Sequence, residues 1–80
     1  MTQLQDIDRN IRQLLAELSS IPMETDQNAD LYRDLGMPSV KAMELLMRLE
    51  ETFNVTVPDD SFVEATTIRK LTDLIAGLRP

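Results

Sequence analysis

Leu4, Ile7, Ile11, Leu14, Leu15 and Leu18 recur at helical spacing. At about 100° per residue they fall within roughly one third of a helix circumference. A stripe of that width predicts an amphipathic helix over about 2–19 with one buried face. Ile21-Pro22 ends it, because the residue before a proline is pushed out of the α region. The pattern returns twice. Ala42, Leu45, Leu46, Leu49 and Phe53 lie within about 60° of one another around Ala42, on a second helix over about 39–53. Ile68, Leu71, Leu74, Ile75 and Leu78 mark a last helix over about 67–78, capped by Thr66 or Thr67 and frayed by Gly77 and Pro80.

Between these lie two connections. Residues 21–37 read as a loop, and the stretch from Met23 onward is rich in Asp, Asn and Thr. Leu31, Tyr32 and Leu35 anchor it, through a single helical turn. A loop this long inside a small domain is uncommon and often functional. Gly36 supplies a positive φ or a close backbone approach before the second helix. After that helix, Asn54 is a stop. Val55-Thr56-Val57-Pro58 is an extended connector, and Pro58-Asp59-Asp60 opens a short helix over about 59–64. With no internal repeat or low-complexity tract, the chain reads as an all-α, four-helix bundle of three longer helices and one short one.

Composition removes several functions. The 80 residues predict a single domain over 1–80, and a hydrophobic fraction of 42% is enough for a simple packed core. With no Cys and no His, thiol catalysis, disulfides, the usual zinc sites and Ser-His triads are excluded. A net charge of −6 repels phosphate backbones, so no nucleic-acid partner is expected. No apolar run approaches the roughly 20 residues of a membrane span, and the start shows no secretory signal. A cytoplasmic monomer is the default. The starting Met and the lack of a linker-like stretch favour a free-standing protein.

The second helix has a second apolar stripe, made by Val40, Met43 and Met47. Glu50 borders it on one side, Glu44 and Glu51 on the other, while Lys41 and Arg48 lie farther round. Met43 and Met47 either fill irregular core space or form a docking surface of adaptable side chains rimmed by carboxylates.

From Asp34 to Glu51 the sequence reads D-L-G-M-P-S-V-K-A-M-E-L-L-M-R-L-E-E, which resembles the acyl carrier proteins. Their pattern of D-L-G-x-D-S-L, a helix with E-L and E-E, an aromatic residue and I-P-D is met by Asp34-Leu35-Gly36, Ser39, Glu44-Leu45, Glu50-Glu51, Phe53 and Val57-Pro58-Asp59. Thr66-Thr67-Ile68 stands where such proteins begin their last helix. The resemblance implies an acyl-carrier-type four-helix bundle whose Ser39 accepts 4′-phosphopantetheine from coenzyme A. Substrates would ride on the arm as thioesters. It also implies a phosphopantetheinyl transferase, acyl- or aminoacyl-loading enzymes and downstream synthase or transferase enzymes as partners, with Val40, Met43, Glu44, Met47, Glu50 and Glu51 as the docking residues. Ser39 is also a residue suited to capping its helix, and the two roles are compatible.

Three positions depart from the pattern. Pro38 replaces the usual Asp, which in the family helps hold the metal used by the transferase; Val40 replaces Leu; Lys41 replaces an acidic residue. These favour a specialised polyketide, lipid-tailoring or aminoacyl pathway over housekeeping fatty-acid synthesis. The alternative is an unmodified helical interaction module that uses the same second-helix surface.

Two other chemistries fail. Asp26, Asn28 and Asp30 have the spacing of a calcium loop, but Leu31 and Met37 stand where Gly and a bidentate Glu are needed. Glu50 and Glu51 diverge by about 100° on the helix and do not form a catalytic carboxylate pair, so no enzyme activity is expected.

Overall fold

The computed structural model describes residues 3–79. Its regular elements are α1 (Gln3–Ser19), α2 (Val40–Phe53), α3 (Asp59–Glu64) and α4 (Ile68–Leu78), all helical as the periodicity predicts. The proposed start at Thr2 and fraying at Pro80 lie outside the described residues.

The apolar stripes meet as expected at their centres. Ile7, Ile11 and Leu15 of α1, Leu45 and Leu49 of α2, and Ile68, Leu71 and Ile75 of α4 are fully buried. The most extensive packing is of α1 on α4, then of α1 on α2, and α3 lies against α4. Phe62 is the buried residue of α3. At the far end of α4, the Arg79 guanidinium stands 5.9 Å from the centre of the Phe53 ring, within cation–π range.

The stripes are less uniform at their margins. Leu4 is 48% exposed, although its spacing places it on the buried face of α1. It sits in the first turn, on the wall of an open groove shared with Asp8, Arg12, Arg69 and Thr72. Leu18, Ala42, Leu46, Leu74 and Leu78 are only partly buried, packed around the core rather than within it.

Local chemistry sets the helix ends. The chain leaves α1 at Ser20, whose φ of 56° is left-handed, one residue ahead of Ile21-Pro22. Its N–H donates to the Ala16 carbonyl at 3.0 Å, and the Ile21 N–H reaches the Leu15 carbonyl at 3.4 Å. This turn drives Ile21 into the core. Asn54 ends α2 with φ 54° and ψ 50°, its N–H bonded to the Glu50 carbonyl, as a left-handed cap requires. Of the two candidate threonines, Thr67 caps α4: its Oγ1 accepts the Lys70 N–H at 3.1 Å. The Thr66 carbonyl is used elsewhere, by the long connection.

Leu49→Ala should destabilise the domain by about 2–5 kcal/mol, as a fully enclosed leucine does. Leu4→Ala should stay within about 0.5 kcal/mol of the parent. Urea unfolding of the two variants checks both values.

Candidate functional site

The long connection between α1 and α2 follows a fixed path over the helices. The Arg12 guanidinium leaves α1 beside Asp8, with Nε donating to Asp8 Oδ1 at 2.6 Å. Its Nη1 donates to the carbonyls of Met23 at 2.7 Å and Thr25 at 2.6 Å. Farther on, the Gln27 carbonyl accepts the Arg69 N–H at 3.0 Å and the Leu31 N–H donates to the Thr66 carbonyl at 2.8 Å. Leu31 itself is fully buried. The middle of the connection is therefore tied to α1 by a side chain and to the start of α4 by backbone.

The predicted helical turn occupies 31–35, and its polar residues close it. Asp30 Oδ1 accepts the N–H groups of Tyr32 at 2.9 Å and Arg33 at 2.8 Å, while Asp34 Oδ2 accepts the Asp30 N–H at 2.8 Å. Asp26 turns to the Asn28 N–H in the same way, at 2.8 Å. Among the described residues no group of acidic side chains has the arrangement of a metal site. The Arg33 N–H foremost, then the Tyr32 N–H, hold the Asp30 carboxyl below its ordinary value against partial burial. Burial first, and the Asp30 charge second, push the Tyr32 phenol upward.

The exit from this turn sets the start of α2. Gly36 has φ 72°, a conformation that side chains other than glycine's adopt at a cost; a Cβ there would meet nothing within 4 Å, so the requirement is conformational. Met37 follows, buried, with its N–H on the Leu31 carbonyl at 2.9 Å. Pro38, Ser39 and Val40 then emerge into solvent.

Ser39 does not act as a side-chain cap. Its φ of −62° and ψ of −27° are already helical, and its hydroxyl makes no capping hydrogen bond. A capping serine needs extended backbone to swing its oxygen back over the first turn. Here the N–H groups that it would reach are already taken, Lys41 by the Pro38 carbonyl and Ala42 by the Ser39 carbonyl, both at 3.0 Å. The result is an exposed hydroxyl with no hydrogen-bond partner among the described residues. The N–H groups of Ser39 and Val40 meet no acceptor among the described residues.

The second stripe of α2 faces outward. Val40, Met43 and Met47 are 76%, 68% and 59% exposed, which removes the core-filling alternative. Val63 of α3, a position the sequence did not single out, is also 71% exposed. Glu44 pairs loosely with Lys41, at 3.5 Å. Arg48 reaches back to Glu17 of α1 at 3.1 Å. Glu51 is exposed and has no ion-pair partner among the described residues. Glu50 departs from the expected docking role: it is half-buried, and its Oε2 accepts the Val57 N–H at 2.9 Å.

The family model for phosphopantetheine attachment sites matches residues 9–75. The chain belongs to that family. The matched span runs from the helix that carries Arg12 to the last buried isoleucine of α4, and so takes in the whole framework around Ser39. The family assigns a non-catalytic carrier that bears covalent 4′-phosphopantetheine, and a phosphopantetheinyl transferase as a necessary partner. Among the described residues no helix is long and apolar enough to cross a membrane.

The lowered Asp30 value has a defined consequence for pH. A carboxylate held below its unfolded value of about 3.9 stabilises the turn fully above that value, and the stabilisation is lost as pH falls through the folded value. Tyr32 is the chain's single tyrosine and there is no tryptophan, so its fluorescence reports this turn. The parent should show a change in the acid range, and Asp30→Ala should show an altered signal already at neutral pH without that acid step.

Proposed function

We propose that Ser39 carries the 4′-phosphopantetheine arm, and that the chain presents acyl or aminoacyl intermediates to the enzymes of a specialised polyketide, lipid-tailoring or aminoacyl pathway. The observation that carries this reading is the Ser39 hydroxyl, exposed and without a capping bond at the start of α2. A phosphodiester there would lie at the positive end of the helix, next to N–H groups that lack acceptors, where an anion is favoured. The residues present therefore fit the group. When bound, it supplies the thiol that forms the thioester, which this chain cannot do because it has no Cys. The chain's own contributions are a rigid point of attachment and a surface for partners.

The surface proposed for partners is Val40, Met43, Glu44, Met47 and Glu51. Exposed methionines adapt to different apolar surfaces, which suits a carrier that meets a transferase, a loading enzyme and a downstream synthase in turn. The specialised pathway is supported by the charge around Ser39. The first turn of α2 has no acidic residue, whereas α1 starts with Asp6 and α3 with Asp59 and Asp60. Lys41 stands in that turn, and Pro38 stands where the family pattern has Asp. A transferase that modifies this chain must accept both.

Incubation with coenzyme A, magnesium and a broad-specificity phosphopantetheinyl transferase should raise the intact mass by one phosphopantetheinyl unit. Ser39→Ala should gain nothing while keeping its helical spectrum and melting temperature. An unmodified parent, both after this treatment and when purified from its native host, would instead support a protein-interaction module. Met47→Glu should slow transfer at limiting carrier about tenfold or more without lowering stability, as loss of a central apolar contact does; initial rates against carrier concentration measure this.

A further inference from the structure

Glu50 is the point at which α2 holds the connector to α3. Its carbonyl accepts the Asn54 N–H and the Val55 N–H, the latter at 3.3 Å. Its carboxylate accepts the Val57 N–H at 2.9 Å. One residue thus accepts the N–H groups of Asn54, Val55 and Val57, while Thr56 between them is exposed to solvent. Val57 is buried, so without this acceptor its N–H would be left unpaired in the interior. Pro58 follows with its φ set at −62°. Where Val57 is pinned therefore determines the direction in which α3 departs.

The helix that follows is short. It has six residues, too few to persist as a helix without tertiary support. It buries Phe62 and packs against α4. Its outer side carries exposed Val63 and the exposed carboxylates of Asp59, Asp60 and Glu64.

We infer that Glu50 is a positioning residue: by accepting the Val57 N–H, its carboxylate fixes α3 relative to α2, so that a docking partner meets Val63 and the α3 carboxylates in one arrangement with Met43 and Met47. Glu50 acts through the connector and does not itself touch the partner. This deepens the docking reading, and its effect on transfer rests on that reading. Its effect on the connector does not.

Glu50→Gln and Glu50→Ala separate the two roles, because glutamine keeps an acceptor oxygen and loses the charge, whereas alanine loses both. Amide hydrogen exchange of the full chain reads the connector directly. Glu50→Ala should accelerate exchange at Val57 and across α3 about tenfold or more, with Ile11 and Ile75 unchanged as internal controls for global stability. Glu50→Gln should exchange close to the parent. In the transferase assay, Glu50→Ala should raise KM for the carrier with kcat near the parental value, and Glu50→Gln should restore KM. Unchanged exchange at Val57 in the alanine variant would overturn the inference. So would a glutamine variant with parental exchange but a KM as high as alanine's, which would make the charge a partner contact. If the parent accepts no phosphopantetheine, the Ser39 reading fails, and the exchange comparison still decides the role of Glu50.

Discussion

The burial of Leu31 beneath the long connection is the constraint on which the position of Ser39 depends. A segment of that length without regular structure loses considerable conformational entropy on ordering, and its backbone groups need partners wherever they leave water. Both demands are met at a few points. Leu31 enters the core and its N–H finds the Thr66 carbonyl; Arg12 gathers two carbonyls from the near end; Arg69 offers its backbone N–H to Gln27. The Leu31 carbonyl then accepts the Met37 N–H, so the anchor that fixes the loop also fixes the residue two places before Ser39. Gly36 permits the reversal between them. The hydroxyl is thus held from the core outward, although Ser39 is itself exposed to solvent.

Charge is distributed unevenly around this point. The acidic surplus of the chain lies largely in the long connection, with Glu24, Asp26, Asp30 and Asp34 against Arg33, and in α3, where Asp59, Asp60 and Glu64 face no base in the same helix. Along α2, two bases nearly balance three carboxylates, and Lys41 and Arg48 are occupied by Glu44 and Glu17. In the docking reading, attraction of a basic surface arises from the flanks and fades beyond about 8–10 Å at physiological salt. Contact itself falls to the apolar side chains of α2. The two contributions act at different distances and need not be recognised by the same partner residues.

Much of this was legible in the sequence because it depends on local rules. Helical periodicity located the three longer helices and Pro58-Asp59-Asp60 the short one, Asn54 and Gly36 announced the ends of regular structure, and angle alone separated the stripe of Val40, Met43 and Met47 from the core face without deciding whether it faced solvent. What escaped were bonds that join residues by their three-dimensional path. Arg12 stands four residues after Asp8, a pairing visible in the sequence, but its two loop carbonyls carry no side-chain signature. Glu50 resembles any other surface glutamate until Val57 is seen to fold back onto it. Ser39 misled for a different reason: serine at a helix start is most often a cap, and only the backbone angles reveal that the helix has already begun. Leu4 shows the limit of periodicity, which gives the direction of a side chain and not whether another helix extends far enough to cover it.

The central claim is that this one hydroxyl, left free by the way α2 begins, is where the carrier receives its prosthetic group. Fragmentation mass spectrometry of the modified full-length chain tests it most directly, because several other serines and threonines offer competing hydroxyls. The account predicts a phosphopantetheinyl phosphodiester on Ser39 and on no other residue. Its localisation to a different hydroxyl, such as that of Ser61 within α3, would contradict the account.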